Sequence, residues 1–508
     1  QMLEEIPFSF EHISIALLLF DLTLDVFLCF RQRRRMNTHF RVPKLLSLFI
    51  KEKEYSDNLE YSKDRMSFKL FQLLTVSFVK IFTLKRSLVF SYDIATSILS
   101  LKNLSPDDII LSRKYRYVRV ILWDLIGDVI NLVITIPLSI YSTFHIEKKH
   151  GFNKTTPMTF VTDIFKELIV GLILQTPIVL FLLWVMESFS PAMIFVVSTI
   201  FIAVFIIISQ GLYMYIIAPL FNKFENIESG EYYDAIVKLA EKTEINIKQI
   251  RKMDASRRST HANAYVIGFG NTKRIVLYDT LIQQLNPEGV CAVLAHEIGH
   301  VKHHHSIKNI ILAIFSASFI IGLFVLFVNT QKVYDDMGFG YTMVGREVLN
   351  LREWIRRKGI LFTNDEEMPL YNVYGINDNP IFLSFSVFSL ILTPVTLLTH
   401  LLTRYLSRRF ERQADTYAVS EPLNYDLMST LCIISMNSKV FLDDDWLYSL
   451  FKHSHPNLLE RMESVGCTKI NVEAVINKEK EKKKSEEEEK KQKSEEEEEK
   501  KEEVGDDC

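Results

Sequence analysis

Cysteine is scarce in this sequence, with five among 508 residues and no CxxC pair. An odd number of scattered cysteines argues against a disulfide framework and against a zinc site built from thiolates. The first apolar run does not have the pattern expected of a signal peptide, because it is longer than a signal core, has no small-residue cleavage site and ends in RQRRR (31–35). We therefore expect that run to be retained as a membrane span.

Apolar residues make up 48% of the chain and aromatic residues 12%, which is high for a soluble protein. A helix needs about 20 mostly apolar residues to cross a bilayer, and about seven segments meet this requirement. These candidate spans lie near 8–30, 84–101, 118–140, 165–187, 190–214, 307–328 and 381–403. The fourth and fifth follow each other closely and predict a helical hairpin.

The distribution of Lys and Arg predicts an orientation, since basic residues flank the cytosolic ends of membrane helices. RQRRR after the first span places 31–83 in the cytosol, and counting onward places 141–164, 215–306 and everything after 404 there as well. Lys102, Arg113, Lys114 and Arg116 fall on the lumenal side, against the rule.

Ionisable residues occur inside several candidate spans, where each is costly unless it faces protein or water. A water-filled interior accounts for all of them together, whereas near a span end each could instead pair locally or extend to the interface. The residues are Asp21, Asp25, Asp124, Asp128, Lys166 and Glu167.

The segment 222–290 differs in pattern from the spans. YYDAIVKLAEKTEI has helical periodicity, and IKQIRKMDA, NAYVIGF and KRIVLYDTL alternate as strands do. These features predict a small α+β insert. After 475 the chain is almost wholly Lys and Glu, so we expect a solvated tail without a catalytic role.

An HExxH motif occurs in GVCAVLAHEIGHVKHHHSIKN, which predicts one helix that starts near Pro287 and runs into the sixth span. The i, i+4 spacing puts His296 and His300 on one face, where two imidazoles can bind one Zn²⁺. Glu297 would then lie beside the open coordination position as general base and acid towards water. The alternative is a polar helix end with accidental histidines.

A catalytic zinc needs a third protein ligand. In SRRFERQADTYAV, Glu411 and Asp415 are spaced i, i+4, so Glu411 can complete a His₂Glu set while Asp415 hydrogen-bonds a ligand histidine. Taken alone, the same residues would indicate a salt-bridged surface among neighbouring arginines.

Three further histidines, His303, His304 and His305, follow the motif. Consecutive helical residues point in different directions and cannot all face one ion. We therefore interpret these three histidines as a solvent-exposed helix end.

Seven segments in one order resemble the type I CAAX prenyl proteases, over most of residues 5–470. They are IEKKHGFNKTT, IIAPLFNKF, SRRSTHANAYVIGF, KRIVLYDTL, AVLAHEIGHVK, SRRFERQAD and SHPNLLERM. This set is far more specific than HExxH alone, since the segments lie far apart in the chain.

The resemblance implies an α-helical polytopic membrane protein in which about seven helices enclose a hydrophilic chamber. A small α+β gluzincin-type zinc metalloprotease domain would lie towards the cytosol. The corresponding domains are 5–217 (five spans and the HGFN loop), 218–306 (α+β insert and zinc helix), 307–403 (two spans and the loop 329–380), 404–474 (third ligand and HSHP) and 475–508 (tail).

The function implied is removal of the last three residues from prenylated CAAX proteins in the membranes of the endoplasmic reticulum and inner nuclear envelope. The cofactor would be one Zn²⁺ per chain, with membrane lipid as surroundings and no nucleic-acid partner. The resemblance further implies that Asn263, Ala264 and Tyr265 bind substrate backbone by β-augmentation, and that His455 and Arg461 stabilise the oxyanion. Taken without the resemblance, His455 and Arg461 would indicate only a polar loop and the start of a helix.

Two other functions remain open at this point. A general quality-control zinc protease of the bacterial heat-shock type shares HExxH and the later glutamate, but has fewer spans. A noncatalytic membrane scaffold could keep the fold, yet it would have no need for Glu297 beside two ligands.

Overall fold

The computed structural model describes residues 8–43, 46–47, 50–100, 113–268, 273–327, 332, 336, 388–420 and 422–466. Within these residues the protein is mostly helical and contains one small sheet. The helices of the first part are α1 (Phe10–Thr38), α2 (Glu52–Ser100), α3 (Arg113–Tyr141), α4 (Pro157–Ser188), α5 (Pro191–Leu212) and α6 (Ala218–Phe221). Two π-helical turns continue α3 and α5, at Ser142–Glu147 and Tyr213–Ile217.

The predicted hairpin of the fourth and fifth spans is confirmed as α4 and α5. Thr156 caps α4 by accepting a hydrogen bond from the Thr159 amide, and Pro157 occupies the first turn, where a missing N–H costs nothing. The two helices pack through Phe181 and Phe201, whose ring centroids lie 3.7 Å apart.

Six helices in the described part of the chain are long and apolar enough to cross a membrane. They are Phe10–Thr38, Glu52–Leu84, Lys114–Glu147, Pro157–Ser188, Pro191–Phe221 and His305–Phe327. Five of them overlap the predicted spans 8–30, 118–140, 165–187, 190–214 and 307–328.

The second predicted span, 84–101, was placed too late in the chain. Its helix is one continuous element of 49 residues, and the qualifying apolar segment lies in Glu52–Leu84. Lys69 and Lys80 interrupt that segment, so the sequence does not show an unbroken apolar run there, although two lysines can be tolerated within a span. The seventh predicted span, 381–403, lies partly outside the described residues, and its residues from Thr393 onward form the start of helix α11, defined below.

The ionisable residues of the spans divide into two groups. Asp124 and Asp128 face a cavity of about 790 Å³ between the helices, together with Lys80, Asn131 and many apolar side chains. Asp25 instead pairs with Lys452, and Lys166 donates to the Leu220 carbonyl at 2.9 Å. Asp124 and Asp128 thus face a cavity and Asp25 and Lys166 pair locally, whereas a water-filled interior stays a prediction.

The predicted α+β insert is present. It contains β1 (Phe224–Asn226), α7 (Glu231–Lys242), β2 (Gln249–Met253), β3 (Ala264–Ile267), β4 (Arg274–Tyr278) and α8 (Asp279–Gln284). The strand order is β1-β2-β4-β3, with β2 and β4 parallel and the outer strands antiparallel to their neighbours. Three of these strands follow the predicted segments, whereas the three-residue β1 was not predicted.

The helix that carries HExxH is α9 (Pro287–Lys302), and α10 (His305–Phe327) follows it. Asn286 caps α9 through a hydrogen bond from the Gly289 amide. The prediction of one continuous helix was wrong, because the chain breaks at His304, whose φ of 55° is left-handed. That conformation is uncommon for a residue with a side chain, and it turns the start of α10 back towards α9.

The C-terminal helices are α11 (Thr393–Val419), α12 (Leu427–Asn437), α13 (Trp446–Lys452) and α14 (Leu458–Ser464). Together with α7, α9 and the sheet they enclose the main apolar core of the described residues. Ion pairs join the segment before α13 to the first span, at Arg31–Asp445 (2.8 Å) and Arg35–Asp443 (2.6 Å). The tail 475–508 and the loop 329–380, apart from Lys332 and Asp336, lie outside the described residues.

Candidate metal centre and active site

The two histidines of HExxH lie on one face of α9, as their spacing predicts. Their Nε2 atoms point towards each other and are 3.1 Å apart. His296 is 7% exposed, because α9 runs through the core of the metalloprotease region.

Helix α11 brings Glu411 to the same point. Its Oε2 lies 3.4 Å from His296 Nε2, and its Oε1 lies 3.3 Å from His300 Nε2. Ligands bound to Zn²⁺ at 2.0 to 2.1 Å in tetrahedral geometry are separated by about 3.3 to 3.4 Å. The three side chains are therefore spaced as a His₂Glu zinc site requires.

The electrostatics of the site also fit a divalent cation. Burial lowers the pKa of His296, but hydrogen bonds to Asp415 and Glu411 outweigh burial and raise this pKa to about 9. Glu411 Oε2 is buried beside two imidazole nitrogens, His296 Nε2 at 3.4 Å and His455 Nδ1 at 2.9 Å. Carboxylates thus lie on both sides of the His296 ring, and two imidazoles with the Glu411 carboxylate form a donor set that suits Zn²⁺ held by His296, His300 and Glu411.

Asp415 holds the ring of His296 from the side opposite the ligand atoms, as the sequence predicts. Its Oδ1 lies 2.8 Å from His296 Nδ1, and Arg461 donates to both carboxylate oxygens, from Nε at 2.8 Å and from Nη2 at 2.5 Å. Burial raises the pKa of Asp415, but these hydrogen bonds outweigh burial and keep the pKa below its usual value. The carboxylate therefore stays charged and orients the His296 ring.

The interpretation of all three histidines after the motif as a solvent-exposed helix end was wrong for His305. His305 is 2% exposed, its Nδ1 lies 2.9 Å from His300 Nδ1, and its Nε2 lies 3.0 Å from Gln413 Oε1. Nothing in the sequence distinguishes it from His303 and His304, since the contact depends on the break in the helix. Gln413, two residues after Glu411, was missed for the same reason.

Glu297 lies on α9 between the ligands. Burial raises the pKa of its carboxyl, while the imidazoles of His296 and His300 act in the opposite direction and are outweighed. A carboxyl with a raised pKa in this place can both accept and return a proton.

His455 and Arg461 occupy different sides of the site. His455 is exposed, and its Nδ1 lies 2.9 Å from Glu411 Oε2 on the ligand side. The Arg461 guanidinium lies on Asp415, and its Nη2 is 3.4 Å from His296 Nδ1, on the opposite side of that ring. Their shared role in oxyanion stabilisation stays a prediction, although the position of Arg461 favours support of Asp415.

Residues Asn263, Ala264 and Tyr265 lie at the start of β3, an outer strand of the sheet that packs on α9. The Asn263 carbonyl accepts a hydrogen bond from the Tyr278 amide at 3.1 Å, and its side chain accepts one from the Ala264 amide at 2.9 Å. Pairing alternates along an antiparallel strand, so the backbone groups of Ala264 and Val266 point away from β4, although the Ala264 amide is already bonded to the Asn263 side chain.

The HGFN loop packs against the segment that leads into β3. Phe152 stacks on His261 with ring centroids 4.7 Å apart, and Asn153 forms an isolated antiparallel bridge with Ser259. Two motifs distant in sequence thus meet beside the outer strand.

This fold and this ligand set define a metallopeptidase of the HExxH class joined to membrane-spanning helices. Comparison with known proteins agrees. A model described as CAAX prenyl protease N-terminal, five membrane helices, matches residues 32–223, and a model of peptidase family M48 matches residues 228–468.

Individual relatives give the same result. A CAAX prenyl protease 1 homolog of Taenia solium is 31% identical over 380 residues, which cover 68% of this chain and 70% of that protein. A homolog of Arabidopsis thaliana is 29% identical over 426 residues, covering 84% and 90%. The crystal structure of S. mikatae Ste24p matches with a TM-score of 0.76 at 26% identity, over 90% of this chain and 99% of that one.

The chain therefore belongs to the CAAX prenyl protease family within the M48 peptidases. This confirms the family, the polytopic membrane fold with a peptidase domain, and the class of enzyme, a metalloendopeptidase.

Proposed function

We propose that this chain is a zinc-dependent endopeptidase that removes the C-terminal tripeptide from prenylated CAAX proteins in the membranes of the endoplasmic reticulum and inner nuclear envelope. The observation that carries the proposal is the tetrahedral spacing of His296, His300 and Glu411 beside an open-edged strand. The substrate class is supported by the relatives, which are CAAX prenyl protease 1 homologs.

One zinc per chain would be held by these three side chains. When bound, it supplies Lewis acidity, which lowers the pKa of water and polarises the scissile carbonyl. Asp415 and His305 hold the outer nitrogens of the two ligand rings, so that both Nε2 atoms stay directed at the centre.

Glu297 moves the proton. As the water oxygen bonds to the carbonyl carbon of the peptide bond after the prenylated cysteine, Glu297 accepts a proton from that water. When the C–N bond breaks, Glu297 returns the proton to the leaving nitrogen, and the carboxylate regains its starting state. The raised pKa of this carboxyl suits both steps.

His455 is the group proposed to meet the negative charge that develops on the carbonyl oxygen. It lies on the ligand side and is exposed, so substrate can reach it. For Arg461 we propose an indirect role, in which its two hydrogen bonds hold Asp415 against His296.

Substrate would bind as an added strand along β3. Ala264 and Val266 offer outward backbone groups in the sheet that packs on the zinc helix. A prenyl chain would lie in the cavity between the spans, which follows α4 from Gly171 to Met186, about 22 Å of helix.

Replacement Val266→Pro is expected to raise KM for a CAAX peptide about 5-fold with a smaller change in kcat. Proline removes an N–H that faces the open edge but leaves the bonds to β4 intact, and one hydrogen bond is worth about 1 kcal/mol. Steady-state kinetics measure the effect, and Val266→Thr is the matched control that keeps the amide. An unchanged KM in the proline variant would argue against strand addition.

The function itself is tested with the purified full chain in nanodiscs. A farnesylated CAAX peptide should be cleaved after its cysteine, activity should fall with a zinc chelator, and about one equivalent of zinc should restore it. Equal cleavage of an unprenylated peptide would instead indicate a general protease, and an absence of turnover at full zinc content would indicate a scaffold.

A further inference from the structure

The second ligand histidine, His300, is held from behind by another histidine. Its Nε2 faces His296 and Glu411, while its Nδ1 lies 2.9 Å from His305 Nδ1. The far nitrogen of His305 lies 3.0 Å from the Gln413 side-chain oxygen.

The protons in the series of hydrogen bonds from His300 through His305 to Gln413 have one consistent arrangement. Nε2 of His300 must carry a lone pair to bind a metal, so its proton is on Nδ1 and points at His305. His305 Nδ1 must then accept, which leaves its own proton on Nε2. Gln413 Oε1 can only accept, and it receives that proton. Each hydrogen bond fixes the direction of the next.

The geometry of His305 depends on the break after α9. On a continuous helix, residues five apart differ by about 140° around the axis and cannot touch. The left-handed His304, with φ of 55°, brings His305 back beside His300. Its ring also stacks on Phe410 with centroids 4.2 Å apart, so its orientation is set by packing on α11.

The two ligand histidines are thus held by different kinds of acceptor. His296 has the Asp415 carboxylate, whose charge Arg461 balances, and His300 has a neutral imidazole. A neutral acceptor orients the ring without adding negative charge next to the metal, which would weaken its Lewis acidity.

We propose that His305 and Gln413 form a positioning pair that fixes the tautomer and orientation of His300 through the hydrogen bond to its Nδ1. The proposal rests on the assignment of His300 as a zinc ligand. It concerns metal binding in the free protein, so it is measurable without substrate.

The test compares two amides at position 305 in full-length protein. His305→Asn places a carboxamide oxygen where the imidazole has Nδ1 and keeps an acceptor for His300. His305→Gln extends its carboxamide to the Nε2 position, and His305→Leu has no acceptor. We expect His305→Leu and His305→Gln to release zinc to a chelator about 10- to 100-fold faster than wild type, with His305→Asn within a few-fold of it.

Two further readouts separate positioning from packing. The visible absorption bands of the cobalt-substituted protein should change in His305→Leu and stay near wild type in His305→Asn. Gln413→Glu should keep wild-type zinc release because it keeps an acceptor, whereas Gln413→Met, of similar size, should accelerate it. Lys302→Gln, at an exposed position on the same segment, is the neighbouring control and should change nothing.

Equal zinc release from wild type and His305→Leu would overturn the proposal, as would equal losses in His305→Leu and His305→Asn. Where His305→Leu does not fold, the pair Gln413→Glu and Gln413→Met decides, and equal behaviour of these two would also overturn it. A wild-type protein that binds no zinc would contradict the metal centre itself, which is a different failure.

Discussion

Replacement Glu297→Gln is expected to leave zinc bound and to lower kcat for a prenylated CAAX peptide by about 10²- to 10⁴-fold, the range for loss of a general acid and base. Glutamine has nearly the same shape but cannot accept the proton of the attacking water. Glu297 is not among the three converging ligand side chains, so the affinity for zinc should change little. Zinc content by mass spectrometry and steady-state kinetics on the same preparation measure both quantities.

Glu411→Gln provides the complementary control. It weakens a ligand rather than the base, so it should lose zinc and activity together. Full turnover in Glu297→Gln with zinc in place would refute the proposed base, and loss of zinc from that variant would show that Glu297 belongs to the ligand set.

Local periodicity explains what the sequence could predict of the site. The i, i+4 spacings of His296 with His300 and of Glu411 with Asp415 set the relative positions of side chains within one helix, whatever the rest of the chain does. The strands of the insert were likewise visible from alternation of apolar residues. Contact between helices α9 and α11 was inferred from the sequence, because a catalytic zinc needs a third ligand.

Other parts of the site depend on contacts between distant segments or on a single backbone torsion. Whether His305 meets His300 is decided by the φ of His304, and although histidine is enriched among residues with positive φ, three consecutive histidines do not show which one, if any, adopts it. The place of Arg461 follows from the packing of α14 on α11, which periodicity cannot reveal. The second span was misplaced because lysines divide an apolar segment that belongs to one long helix.

Replacement Gly299→Ala is expected to lower zinc affinity and to reduce kcat about 100-fold, the effect of displacing reacting groups by about 1 Å. A Cβ at this position would lie 2.9 Å from Ala414 Cα and 3.1 Å from Ala414 O. Backbone atoms cannot move aside as a flexible side chain can, so α9 and α11 must separate. The two helices carry the three ligands between them, and separation lengthens the distances from Glu411 to both histidines.

The matched control is Gly211→Ala, another helical glycine whose added Cβ meets nothing within 4 Å. It should keep wild-type zinc release and turnover. A second substitution sharpens the test, because Ala414→Gly removes a methyl group but leaves the Cα and carbonyl oxygen that an added Cβ would strike. Gly299→Ala combined with Ala414→Gly should therefore stay impaired. Recovery in that double variant would show that a side chain, rather than the backbone, limits the approach of the two helices.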